Sequence, residues 1–266
     1  MNGSGGVDFS APDLRSDDVL RVARLLDDAG TAAFLATVIS APPHVMLRNV
    51  ELLADLAATR LRGRLLGVHL EGPFLSQDPR VTGAHRAQHI RSPDADLARR
   101  LLDAGRGWVR MMTVAPEVPD ALDLVRLAAG EGVAVAVGHS TATRADLAAA
   151  RSAGASAITH LGNALPRELD KNGNPLFAGL LTRDLVATVI ADGHHLSTDL
   201  LTIVLRMKGV DGTVLISDAA PIAGLAPGRY RVFEQDATLT AEGALVNGAE
   251  EHLIGSTVSL LHCVNT

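Results

Sequence analysis

Four short apolar runs in this chain end in side chains that can do chemistry. The run 65–70 leads into Glu71, 133–137 into Gly138-His139, 157–159 into His160, and 213–217 into Asp218. Glu71, His139 and His160 offer one carboxylate oxygen and two imidazole nitrogens. That donor set suits one borderline divalent ion, zinc first, with iron or cobalt also compatible, and three protein ligands leave a coordination position open. The open position matters because such an ion lowers the pKa of the water it binds from about 16 to about 7. A nearby carboxylate such as Asp218 can take a proton from that water and hand it to a leaving amine. Taken singly, each residue has a plainer reading: a solvated Glu, a hydrogen-bonded His, an Asp turning the chain before Pro221. Four of them at corresponding strand ends point to a mononuclear metal hydrolase.

Two further elements are less determined. His85 lies in the polar loop after Glu71, within Thr82-Gly83-Ala84-His85, where it could polarise a substrate carbonyl or simply be exposed. Asp192-Gly193-His194-His195 could hold substrate or form a turn. Spacing leaves both alternatives open.

The elements that must position these residues are legible from periodicity. Apolar runs at 33–39, 65–70, 109–114, 133–137, 157–159, 185–191 and 214–217, bounded by Gly, Pro or Asn, read as buried parallel strands. Between them the spacing predicts helices over 46–62, 93–104 with Pro93 in the first turn, 119–129, 142–153 capped by Ser140-Thr141, and 198–207; another, 14–29, precedes the first strand. Alternation of this kind argues for a parallel α/β sheet, and such folds keep their sites at the carboxyl ends of the strands. After Asp218 the pattern changes: 228–245 alternates as a small antiparallel excursion, and Gly255-Ser256 opens a last helix.

Composition narrows the classes. With 266 residues there is room for one barrel-sized domain, 1–266, and with 47% hydrophobic but 3% aromatic residues its core must be small and aliphatic. The net charge of −6, with 24 dispersed basic residues, offers nothing to follow a phosphate backbone, so nucleic acid is not an expected partner. One cysteine, Cys263, permits no internal disulfide, and no apolar run reaches the ~18 residues of a membrane span. The polar N-terminus MNGSGGVDFS is unlike a signal peptide, so the expected location is the cytoplasm.

At these residues the chain resembles the N-acetylglucosamine-6-phosphate deacetylase family of the amidohydrolase superfamily. The matching stretches, in family order, are His69-Leu-Glu-Gly-Pro-Phe74, Gly83-Ala-His85, Val137-Gly-His-Ser140, Thr159-His-Leu-Gly-Asn-Ala164, Ala191-Asp-Gly-His-His195 and Ser217-Asp-Ala219. The resemblance implies a (β/α)8 TIM-type barrel of the metal-dependent amidohydrolase kind that removes an acetyl group from an amino-sugar phosphate. It assigns metal ligation to Glu71, His139 and His160, and acid–base duty to Asp218. His85 would steady the carbonyl oxygen, with Ala84 beside it. Asn163, Ala164 and His195 would contact the sugar or phosphate, and Leu253-Ile254-Gly255 would line the acetyl pocket. It also implies a homodimer.

Three departures from the family pattern shape the expectations. Asn2-Gly3 matches only the end of the family's first barrel strand, so that strand and the small β-sandwich are expected to be missing, leaving seven strands with exposed edges. The family's closing C-terminal elements are likewise unmatched. The family's phosphate-holding Arg after THLxNA is replaced by Gly173-Asn174-Pro175, with Arg167 or Lys171 as substitutes. Two other readings compete: a same-fold amidohydrolase acting on a free amino sugar or N-acyl amino acid, and a non-catalytic fragment that binds metal or a partner chain.

Overall fold

The structure is a computed structural model that describes residues 1–166, 168–248 and 252–266. A two-stranded ribbon, β1 (Gly3–Ser4) and β2 (Val7–Asp8), opens the chain. Helix and strand then alternate: α1 (Ser16–Asp28), β3 (Phe34–Ile39), α2 (Pro43–Ala58), β4 (Leu65–Glu71), α3 (Ala95–Gly105), β5 (Val109–Val114), α4 (Ala121–Gly130) and β6 (Ala134–Val137). The series continues through α5 (Arg144–Ala153), β7 (Ala155–Ile158), α6 (Pro175–Leu181), β8 (Val186–Ile190), α7 (Thr198–Lys208) and β9 (Thr213–Ile216). Strands β10 (Gly228–Val232), β11 (Gln235–Leu239) and β12 (Leu245–Asn247) make a small antiparallel sheet, and α8 (Leu260–Asn265) comes last.

Strands β3 to β9 pair in chain order, every ladder parallel, so the seven strands read from the apolar runs form one sheet. Most of their side chains are buried because helices cover the outer face: Val19, Val22 and Ala23 of α1 and Leu97, Ala98 and Leu101 of α3 recur at three- and four-residue intervals and turn inward. Strand β9, on an open edge and expected to be buried, has no buried residue. Leu65, Val68 and Leu70 of β4 are fully enclosed, each worth about 1.5–3 kcal/mol of burial. The sheet curls until its two edges share one cavity of about 640 Å³, lined by Leu35 and Thr37 of β3 and by Leu215 and Ile216 of β9. Among the described residues no ladder joins β3 to β9. Met1 and Asn2 cross the upper end of that gap: Thr37 N donates to Met1 O at 2.9 Å, and Asn2 N to Ala219 O at 2.8 Å. The fold is an α/β barrel of seven strands, open on one side.

Several boundaries differ from the periodicity. Pro93 precedes α3 instead of entering it, because Asp94 caps the helix by accepting from the N–H groups of Asp96 and Leu97. Helix α5 begins two residues later than the spacing predicts; Thr143 and Asp146 form its capping box, and Ser140 and Thr141 are engaged elsewhere. Asn174 and Pro175 open a helix that the periodicity does not predict, α6, with Asn174 accepting from Phe177 N. Gly255-Ser256 does not open the last helix, which starts at Leu260 behind Ser259. No helix among the described residues is long and apolar enough to cross a membrane.

Candidate metal centre and cavity

Glu71 is the last residue of β4, while His139 and His160 each stand two residues beyond β6 and β7, and Asp218 two beyond β9. Parallel pairing in register brings these ends to one rim. Three of the four turn the backbone sharply: φ is +50° at His139, +31° at His160 and +44° at Asp218. Left-handed non-glycine residues cost of order 1–3 kcal/mol each and persist only where the surroundings hold them. For His160 part of that hold is Thr188 of β8, whose Oγ1 accepts from His160 N at 2.7 Å. Close packing also selects small residues beside the ligands. A side chain at Gly138 would press within 2.7 Å of Thr159 Cβ, and one at Gly72 (φ +88°) would collide with Ser40 Oγ.

The three ligand atoms converge. Glu71 Oε1 lies 2.9 Å from His139 Nε2 and 3.1 Å from His160 Nε2, and the two Nε2 atoms are 3.1 Å apart. All three side chains are buried. His139 Nδ1 faces the carbonyl oxygen of Val81 at 3.0 Å; a carbonyl only accepts, so Nδ1 carries the proton. Burial, reinforced by His85, lowers the His139 pKa to about 4, leaving a neutral ring whose Nε2 offers a lone pair. Burial alone would raise the Glu71 carboxyl, but the imidazoles of His139, His160 and His85 grouped around it outweigh that effect and hold the group well below the usual carboxylate range. A lone pair and an ionised carboxylate oxygen therefore meet at 2.9 Å, an arrangement that a cation between them reconciles. Ligands about 2.0 Å from one tetrahedral ion stand roughly 3.3 Å apart, so the set fits a single divalent metal.

Around this group lies a cavity of about 820 Å³, and its walls bring together twelve of the residues singled out from the sequence. Glu71, His139, His160 and Asp218 share it with Ala84, His85, Asn163, Ala164, His195, Leu253, Ile254 and Gly255. His85 is buried, not exposed: its Nδ1 takes the Ser40 N–H at 3.4 Å and lies 2.9 Å from Ser40 Oγ. That leaves Nε2 as the protonated nitrogen, 4.0 Å from Glu71 Oε1 and aimed at the metal group. The loop carrying it is tied to the small sheet, where Gln235 Nε2 donates to Ala84 O at 3.2 Å and Asn247 Nδ2 to Gln235 Oε1 at 2.6 Å. Asp192 turns the chain by accepting from the N–H groups of His194 and His195, and its Oδ2 meets His195 Nδ1 at 2.7 Å. The element is thus a turn whose last residue, His195, lines the cavity.

Arg80 is the sole Lys or Arg among the described residues lining the cavity, and it is paired with Asp78. Lys171 and Gly173-Asn174 do not reach the walls, and Arg167 lies outside the described residues. Residues that sequence reasoning passed over include Ser40, behind His85, and Glu117, beyond β5. Both come after strand ends, the signal that found the others. Ser40 is a poor ligand type and Glu117 stands three residues past its strand, which is why the pattern did not expose them.

No family model matches the chain. Known proteins do. Human N-acetylglucosamine-6-phosphate deacetylase is 36% identical over 278 residues, covering 99% of this chain and 66% of the human protein. The deacetylase of Bacillus subtilis (strain 168) is 30% identical over 93% of this chain and 62% of its own length. Among solved structures, N-acetyl-D-glucosamine-6-phosphate deacetylase from Mycobacterium smegmatis superposes with a TM-score of 0.90 at 33% identity, covering 99% of this chain and 68% of that one. A mutant of the same mycobacterial protein, in complex with N-acetyl-D-glucosamine-6-phosphate, gives a TM-score of 0.90 at 34% identity, over 99% of this chain and 67% of that one. The chain spans about two thirds of the length of the relatives it matches.

Proposed function

The chain belongs to the N-acetylglucosamine-6-phosphate deacetylase family, and from that premise we propose that it is a metal-dependent hydrolase that converts N-acetylglucosamine 6-phosphate to glucosamine 6-phosphate and acetate. The observation carrying this reading is the convergence of Glu71, His139 and His160 at 2.9–3.1 Å, beside Asp218 and His85 in one cavity. Glu71, His139 and His160 would hold the ion, zinc by its ligand set. When bound, it supplies the acidity that makes water a nucleophile near neutral pH. Asp218 accepts the proton of the attacking water and returns it to the sugar nitrogen as the C–N bond breaks, so acetate and a free amine leave. His85 donates from Nε2 to the acetyl oxygen, where negative charge develops. Asn163, Ala164 and His195 contact the sugar phosphate, Ala84 flanks His85, and Leu253, Ile254 and Gly255 pack on the acetyl group.

The same reading places the protein in the cytoplasm as a homodimer built on one barrel domain. Activity is tested by loading the chain with Zn(II) and following amine and acetate release from N-acetylglucosamine 6-phosphate. Equimolar products are expected. A chain that binds the ion and releases neither product overturns the assignment. That Arg80 is the one cation among the described lining residues supports a second reading, in which the unphosphorylated N-acetyl sugar is the substrate, and the same assay compares the two directly.

A further inference from the structure

We propose that Glu117 is a positioning residue for the metal ligand His139, holding it from the neighbouring strand without touching the ion. The inference rests on the reading of Glu71, His139 and His160 as ligands. Glu117 stands three residues past the end of β5, and its half-buried carboxylate reaches across to the turn after β6. Oε2 accepts from Ser140 Oγ at 2.6 Å; Oε1 accepts from Thr141 N at 2.6 Å and from Thr141 Oγ1 at 3.2 Å. Three donors on one carboxylate, two of them at the short end of the range, make a charge-assisted clamp. Its targets are the two residues directly after His139.

His139 needs such a clamp because its φ of +50° is one a non-glycine side chain seldom adopts. Its ring is fixed by the Val81 carbonyl and its own carbonyl accepts from Ser76 N at 3.1 Å. Those contacts come from the loop after β4 and hold the ring and the carbonyl only. Glu117 fixes the chain just beyond, so the backbone cannot relax out of the left-handed conformation and swing Nε2 away from Glu71. The same contacts turn the Ser140 and Thr141 side chains toward Glu117, and the cap of α5 falls to Thr143. Outer residues that orient ligands in this way typically govern metal affinity by 10–100-fold.

The test is Zn(II) affinity by competition with a chromophoric chelator, measured with Tm on the parent chain and on variants. Glu117→Ala is expected to weaken Zn(II) binding about 10–100-fold. Glu117→Gln, which keeps one acceptor oxygen while Ser140 Oγ can turn to accept from the amide, should restore most of that loss. Thr143→Ala, which removes the α5 cap, serves as the control for lost stability and should lower Tm with affinity unchanged. Glu117→Asp keeps the charge but draws the carboxylate back by one methylene; it should also bind at least about threefold more weakly, and it carries the test if the alanine variant does not fold. Parent-like affinity in Glu117→Ala or Glu117→Asp overturns the proposal alone, as does an equal loss in Thr143→Ala. A parent chain that binds no Zn(II) overturns the metal reading and this proposal with it.

Discussion

Asn2 donates its side-chain amide to the Asp218 carboxylate at 3.0 Å, tying the second residue of the chain to the end of the seventh strand of the sheet. Asn2 is 4% exposed, and its backbone is anchored on Ala219 and Phe9, so this donor is held in place. A hydrogen bond to a charged group is worth about 1.5–3 kcal/mol. If Asp218 shuttles the proton, Asn2→Ala should lower kcat by about ten- to a hundredfold with KM and metal content little changed. Steady-state kinetics with kcat within threefold of the parent would show that Asp218 needs no such partner.

The metal group gives a sharper expectation. Removing one of the two imidazoles leaves a bidentate set and a buried carboxylate short of one of its partners. His139→Ala and His160→Ala should each lose the ion on gel filtration, as read by elemental analysis. Retention of a full equivalent by both variants would contradict the assignment.

Asp218→Asn keeps the shape of the side chain and can still pair with Asn2 through its oxygen, but it cannot take a proton. Metal content should stay near that of the parent while kcat falls by at least the 10²–10⁴ of a general acid–base group. A variant retaining more than about a tenth of the parent rate, a loss under ~1.4 kcal/mol, would place that duty on another residue.

A pH test lies away from the cavity. Burial raises the Asp8 carboxyl from 3.8 to about 6, the Ser10 N–H at 2.7 Å offsetting part of the effect. With the folded pKa above the unfolded one, the native state holds the extra proton between pH 3.8 and about 6. The ionised group therefore costs stability above that window, and the cost fades as pH falls through it. Asp8→Asn preserves an acceptor for Ser10 and should gain about 1–3 kcal/mol at pH 7, a gain that shrinks toward pH 4. Chemical denaturation at the two pH values reads the difference; an equal gain at both would rule out burial of charge as its source.

Substrate charge supplies the last expectation. Arg80 is the one cation among the described lining residues, and Asp78 already occupies it. The phosphorylated sugar should still be preferred over free N-acetylglucosamine, by a margin about ten- to a hundredfold smaller in kcat/KM than in relatives with the family Arg, the worth of one charge-assisted contact. Arg80→Ala and Arg167→Ala should narrow it further. Faster turnover of the free sugar would transfer the function to an unphosphorylated substrate.

By itself the sequence determined the parallel sheet and the residues on its rim. Length, bounding turn residues and position suffice for that: short aliphatic runs alternating with helical segments read as parallel strands, and the residues directly after each run emerge at the strand's carboxyl end. Glu71, His139, His160 and Asp218 were legible for this reason. The small antiparallel sheet showed itself in the same way, through alternation between turn residues. Tertiary structure alone decided the rest, because it depends on which atoms meet across strands. Whether His85 is exposed or buried turns on Ser40, 45 residues earlier in the chain. Ser140 and Thr141 look like a helix cap until Glu117, beyond the neighbouring strand, draws their side chains toward itself. That Asn2 meets Asp218 results from a curl that brings the two edges of the sheet together, and no local pattern encodes the curvature of a sheet.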